Sequence, residues 1–240
     1  NTTAQINLNN IYGIAKETNV TMSIYNSMTS KLMHTYIHTF NRNSNPDTIS
    51  LDPIYNYKLV VHTVPQVIVD NIKLTPGKHN IIEANTPQGK LNLKLQGSNS
   101  LFTGINCIIK KDTMSRTLNV QNMNTIKEYL VGKYHLEFLT IPRLYFNDVI
   151  ISQSRTNEIT IPMYGSLEIS KSQGPASLFV KKNGQNIWVY DFNDDRNIEN
   201  LNIQPGKYLI SFRYGRSKST AHTILKEFKI TSGQKINLKL

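Results

Sequence analysis

Short stretches of alternating apolar and polar residues recur along the whole chain, the period-two signature of strands with one face turned to a core. Gln5-Ile-Asn-Leu-Asn9 and Val20-Thr-Met-Ser-Ile-Tyr25 alternate, and Met33-His-Thr-Tyr-Ile-His-Thr-Phe40 continues the pattern up to an Asn-, Ser- and Pro-rich turn at 41–47. Thr48-Ile-Ser-Leu51 is a shorter run. Tyr57-Lys-Leu-Val-Val-His-Thr-Val64 stops at Pro65, which has no N–H to give a ladder. Residues 67–74 lead into Thr75-Pro-Gly-Lys78, whose Pro–Gly order predicts a type II turn with positive φ at Gly77. Helical periodicity is weak, and residues 122–129 are the best candidate for a helical turn.

Internal repetition is the stronger signal. Leu74-Thr-Pro-Gly-Lys-His79, Leu130-Val-Gly-Lys-Tyr134 and Ile203-Gln-Pro-Gly-Lys-Tyr208 each place an apolar residue, a Gly-Lys turn and an aromatic or His before a strand. Gln88-Gly-Lys-Leu-Asn-Leu-Lys94 parallels Tyr164-Gly-Ser-Leu-Glu-Ile-Ser170. Cys107-Ile-Ile-Lys-Lys111 parallels Leu178-Phe-Val-Lys-Lys182. These matches predict an all-β chain of tandem immunoglobulin-like β-sandwich units: a more divergent unit over 1–88, then two copies of one plan over 89–161 and 162–240. The strand-to-strand junctions at Thr86-Pro-Gln and Ile161-Pro-Met predict short, stiff links.

Charge changes this picture modestly. The net charge is +11, with 6 Lys and Arg against 5 Asp and Glu in residues 1–88, 9 against 5 in 89–161, and 12 against 6 in 162–240. A basic surface favours acidic glycans, anionic surfaces or nucleic acid, but bases spread at about one per strand also serve solubility, and nucleic acid is the least favoured partner. Cys107 is the only cysteine, so no intrachain disulfide forms. Its apolar run predicts a buried, inert thiol, set against a reactive one beside Lys110 and Lys111. No apolar run is long enough for a transmembrane helix. The absence of an initiating Met leads us to expect a part of a longer protein.

Asp191-Phe-Asn-Asp-Asp195 has the first ligand spacings of a calcium loop, but Arg196 and Asn202 replace the glycine and glutamate such a loop needs, which predicts a polar hairpin. His34 and His38 stand ~13 Å apart in a strand at ~3.3 Å per residue and are read as strand-surface histidines. No nucleophile elbow or glycine-rich phosphate loop occurs, so no catalytic residue, metal or cofactor is assigned. Two candidate binding sets remain. Arg213, Tyr214, Arg216 and Lys218 form a dense basic-aromatic stretch that suits an acidic glycan, or else the solvated tip of a hairpin. Trp188 and Tyr190 alternate with Phe192 on one strand face, as a sugar platform or as part of a sandwich core.

Further segments point to a family. Tyr12-Gly with Glu17-Thr-Asn-Val20, Pro46-Asp-Thr48 with Leu51-Asp-Pro53, Ile141-Pro-Arg143, Ile151-Ser-Gln-Ser154 and Gln204-Pro-Gly-Lys-Tyr208 together resemble the β-rich C-terminal region of Bacteroidota proteins that carry a von Willebrand factor A (VWA) domain. The first unit, residues 1–88, also resembles a carboxypeptidase-regulatory-like, transthyretin-like sandwich. The Asp-x-Ser-x-Ser adhesion motif of the A domain does not occur in this chain. The resemblance implies an extracytoplasmic role, in the periplasm or at the cell surface. It implies a non-enzymatic scaffold or accessory module that meets an envelope or secreted protein through edge strands. A carbohydrate-binding module using exposed aromatics is the alternative.

Overall fold

In the computed structural model, which describes residues 1–101, 103–112 and 116–240, the chain is all-β: three consecutive two-sheet sandwiches with one short 3₁₀ turn at Thr220–His222. The first set of strands is β1 (Thr3–Asn9), β2 (Thr21–Asn26), β3 (Leu32–Ile37), β4 (Thr48–Ser50), β5 (Asn56–Val61), β6 (Val67–Lys73) and β7 (His79–Asn85). The second is β8 (Gln88–Leu95), β9 (Asn106–Lys111), β10 (Asn119–Asn122), β11 (Thr125–Leu130), β12 (Gly132–Phe138), β13 (Leu144–Ile151) and β14 (Thr156–Ile161). The third is β15 (Gly165–Ser170), β16 (Ala176–Lys182), β17 (Gln185–Phe192), β18 (Ile198–Ile203), β19 (Gly206–Phe212), β20 (Ile224–Ile230) and β21 (Lys235–Lys239).

All three sets share one strand order. A three-stranded sheet runs β4-β1-β7, β11-β8-β14 and β18-β15-β21, and faces a four-stranded sheet running β3-β2-β5-β6, β10-β9-β12-β13 and β17-β16-β19-β20. In each unit the first strand pairs in parallel with the last, which closes the sandwich around its own apolar cluster. The first unit therefore follows the same plan as the other two, despite its divergent sequence. The segment limits set from the sequence fall one residue into β8 and at the last residue of β14.

A buried tyrosine marks the corner between the two sheets in every unit. Tyr57 donates its hydroxyl to the Asp52 carbonyl at 2.8 Å, Tyr134 to Leu130 at 2.6 Å, and Tyr208 to Gln204 at 2.6 Å. The ring fills the core while the hydroxyl satisfies a carbonyl that the turn removes from any ladder. The repeat at the Gly-Lys turns is thus a corner motif at Tyr134 and Tyr208. Its partner in the first unit is residues 51–57. The segment 74–79, matched to it by sequence, is instead the turn that carries the chain from β6 to β7 of the facing sheet, where Gly77 takes the expected positive φ of 68°.

Two sequence expectations give way. Residues 122–129 form a turn and a strand: Asn124, at φ 57°, carries the chain from β10 in the four-stranded sheet to β11 in the three-stranded one. His38 lies beyond the end of β3, where the chain leaves the alternating pattern, and is 3% exposed where a surface position was expected. His34 is half-buried and stacks on Tyr36 with ring centroids 5.7 Å apart.

The corner hydroxyls yield a direct test. Tyr134→Phe and Tyr208→Phe keep the packed ring and strand one buried carbonyl each, so urea unfolding of the full chain is expected to show its affected transition weakened by about 1–2 kcal/mol. An unchanged transition in both variants would show that the hydroxyls do not hold the corner.

Candidate functional site

The chain is punctuated by two junctions built alike, and the clefts of interest lie at unit ends. At the first, the loop between β5 and β6 reaches into the second unit. Val64 packs against that unit's apolar cluster, and its carbonyl accepts the Leu130 N–H at 2.8 Å. At the second, Ile141, in the loop between β12 and β13, packs against the third unit's cluster, and its carbonyl accepts the Gln204 N–H at 2.7 Å. Thr63 and Thr140 brace these loops by donating their hydroxyls to the Pro65 and Pro142 carbonyls at 2.6 and 2.7 Å. The prolines follow cis peptide bonds in both loops. Further links at the first junction are Val131 N–H to the Pro87 carbonyl at 2.8 Å and Ile11 N–H to Gln153 Oε1 at 2.8 Å. The paired Thr63-Val-Pro65 and Thr140-Ile-Pro142 segments are the one sequence signal for this docking, and nothing in their composition sets them apart from ordinary strand-ending turns.

The two candidate sets from the sequence stand apart. Arg213, Tyr214, Arg216 and Lys218 occupy the loop between β19 and β20. This loop folds back on the loop after β15, with Arg213 N–H on the Pro175 carbonyl at 3.1 Å and Gly215 N–H on the Gln173 carbonyl at 2.8 Å. Gly174 is required there, since a Cβ would lie 2.2 Å from the Arg213 carbonyl oxygen. Tyr214 rests edge-on against Phe212 with ring centroids 5.1 Å apart. Tyr214 and Arg216 border a cavity of about 890 Å³ that Asp194 and Asp195 also line, so the local charge is mixed.

Trp188 and Tyr190 do not share a face. A bulge places Leu178 opposite Tyr190 and Phe179 opposite Trp188, which leaves Val189 as an extra residue in β17 and turns Trp188 outward. Trp188 is 57% exposed. Tyr190 packs with the core cluster and donates its hydroxyl to the buried Glu199 at 2.7 Å; that hydrogen bond, with burial second, raises its pKa. The expected row of Trp188, Tyr190 and Phe192 is therefore corrected: Tyr190 is structural and Trp188 alone faces water. Trp188 and Tyr145 of the second unit both line a cleft of about 750 Å³ between the second and third units.

The remaining chemistry is structural. The Asp191–Asp195 segment forms the end of β17 and a turn. Asp191 accepts hydrogen bonds from Ser177 and Trp188, which hold its carboxyl below the usual range. The buried Lys171 ammonium donates to the carbonyls of Gly174, Asn193 and Asp194 at 2.9–3.2 Å and ties two loops together. Asp112, just past the end of β9, meets His135 of β12 and Asp148 of β13, a grouping that no sequence spacing announces. Lys133 Nζ forms an exposed ion pair with Asp148 at 3.2 Å, and His135 Nε2 stands 3.6 Å from Asp112. Bulges interrupt the edge strands β3, β6, β13 and β17, which blunts them against strand addition, whereas the edge strand β20 pairs without interruption.

No protein-family model matches the chain, and no curated protein matches it. Among solved structures, the chain is similar to the Bacillus anthracis TIE protein at 11% identity and a TM-score of 0.27, covering 100% of this chain and 50% of that one. The chain thus spans half of that protein. It is also similar to a streptococcal ancillary pilin at 10% identity and a TM-score of 0.31, covering 99% and 98%. A third similarity is to the major pilin RrgB of Streptococcus pneumoniae, at 9% identity and a TM-score of 0.25, covering 99% and 48%. At such scores these similarities say nothing about function.

Cys107 is fully buried, and burial pushes its thiol up to about 12 from 9.0; burial likewise lifts Tyr129 to about 12 and raises Tyr134 and Tyr208. Each group stays neutral in the folded chain at a pH where it ionises once unfolded. The unfolded state therefore holds fewer protons, and stability falls as pH rises from about 9 towards 12. Two outcomes are expected. The thiol resists alkylation at pH 8 until denaturant is added, and thermal stability declines above pH ~9, with a shallower decline in Cys107→Ala. Rapid alkylation of the folded chain would contradict the buried assignment.

Proposed function

We propose that the chain is a stiff, non-catalytic spacer and interaction module of an extracytoplasmic protein of the VWA type, presenting a partner-binding domain at a fixed distance and attitude. The observation that carries this reading is the repeated junction. At each one, an apolar side chain and a backbone carbonyl of one unit are built into the next, across links of only a few residues between β7 and β8 and between β14 and β15. A linker that buries apolar surface and pairs its backbone resists hinge motion.

The non-catalytic part of the reading is supported by the ionisable groups whose titration is perturbed. Strong perturbation is a pointer to chemistry where no structural contact accounts for it. Here Cys107, Tyr129, Tyr134 and Tyr208 are core groups, and Glu137 is held low by the ion pair with Arg143. Among the described residues, no helix is long and apolar enough to cross a membrane. A protein partner would meet the module at β20, the unbulged edge of the third four-stranded sheet.

Residual dipolar couplings test the stiffness. The three units of the full chain are expected to share one alignment tensor. Ile141→Asp places a carboxylate in the third unit's core and is expected to release that unit, giving it its own tensor, while the first two stay locked. Val64→Asp is expected to act likewise at the first junction. Three unrelated tensors in the unaltered chain would refute rigid presentation.

A further inference from the structure

We infer that the cleft between the second and third units binds an acidic oligosaccharide: hexose rings bearing carboxylate or sulfate groups. The inference goes beyond the spacer reading and rests on it only in that Ile141, built into the third unit, keeps the two walls at a fixed spacing. The cleft, at about 750 Å³, falls within the size range of sites that enclose a small ligand. One wall carries Arg143 and Tyr145, at the start of β13. The other carries Lys181, Lys182 and Trp188 from the β16–β17 hairpin, with Lys207 at the adjoining corner.

Each component suits a charged sugar. Trp188 and Tyr145 are 57% and 62% exposed, so both rings are open to solvent in the same cleft. The indole is also held in place. Its Nε1 donates to Asp191 at 2.9 Å, and the same carboxylate oxygen accepts the Ser177 hydroxyl at 2.5 Å. A fixed aromatic plane offers the C–H face of a pyranose ring a contact that needs no ordering on binding.

The lining carries four bases and no acid. Arg143 and Lys181 are paired with Glu137 and Glu227, while the ammonium groups of Lys182 and Lys207 have no ion pair or hydrogen bond among the described residues. Two exposed, unneutralised ammonium groups beside an aromatic plane favour an anionic ligand. Gln204 also borders the cleft, 4% exposed and with neither amide atom paired, leaving a donor and an acceptor complementary to a hydroxyl.

The surface is less suited to an acidic peptide. A peptide strand would pair with β17, the edge strand here, but the bulge at Val189 breaks the regular row of N–H and C=O groups that such pairing needs.

Trp188 is the only tryptophan, so its fluorescence reports on this cleft alone. The full chain is titrated with oligogalacturonate as the carboxylate form, dextran sulfate as the sulfate form, neutral dextran, and poly-glutamate. The expected result is a saturable blue shift with one or both acidic saccharides and none with neutral dextran, weakening as salt is added. Lys182→Gln/Lys207→Gln, at exposed positions, is expected to weaken binding by about tenfold or more. Tyr145→Ala, followed in the same way, is a second probe of the opposite wall. A triple Arg213→Gln/Arg216→Gln/Lys218→Gln variant is expected to bind as the unaltered chain does. The proposal is overturned by the absence of a saturable response to both acidic saccharides, or by an equal response to poly-glutamate, which marks plain polyanion attraction. It is also overturned if both cleft variants bind normally, or if affinity is lost in the triple variant.

Discussion

Leu130 and Gln204 each have their backbone committed in two directions at once. The carbonyl accepts a tyrosine hydroxyl from its own unit, and the N–H donates to the loop of the unit before. One peptide position thereby joins the sheet-to-sheet corner to the unit-to-unit junction. Because the tyrosine is buried and the neighbouring unit's Val64 or Ile141 packs on the same core, moving the junction disturbs the corner, and the reverse. The spacing of the units, the shape of the cleft between the second and third, and the position of Trp188 relative to Tyr145 all depend on that shared peptide.

The surface chemistry follows from a second constraint, the management of sheet edges. Four edge strands carry an extra residue, and in β17 it is Val189. The usual consequence of a bulge is protection against unwanted pairing. Here it also changes which face a side chain occupies. Tyr190 turns to the core and Glu199, while Trp188 turns out to Asp191 and Ser177. The same device that closes the edge to a strand partner exposes the ring that suits a sugar.

The two candidate binding sets found in the sequence, one basic-aromatic and one aromatic, thus part company. The stretch from Arg213 to Lys218 folds back onto its own unit through backbone hydrogen bonds and shares its cavity with two aspartates. The cleft that holds Trp188 draws Arg143 and Tyr145 from a different unit, more than forty residues away in sequence. Spacing along the chain could not reveal this, because the second wall belongs to another unit. The alternation rule failed at Trp188 for a related reason. It assumes an unbroken pleat, and a bulge has no residue signature of its own.

What the sequence determined by itself was the strand content, the tandem plan and the inert setting of Cys107. Those follow from period-two burial, turn chemistry and repeated segments, which act over a few residues. Its repeat also located the corner tyrosines Tyr134 and Tyr208, although it matched the wrong segment of the first unit, since a Gly-Lys turn also suits the other sheet-to-sheet crossing, from β6 to β7. Only the tertiary structure decided which loop docks on which unit, which face Trp188 occupies, and that Asp112, His135 and Asp148 meet. These are set by pairing register and by contacts between distant segments. A single extra residue in one strand reverses the outcome while leaving the local pattern of residue types unchanged.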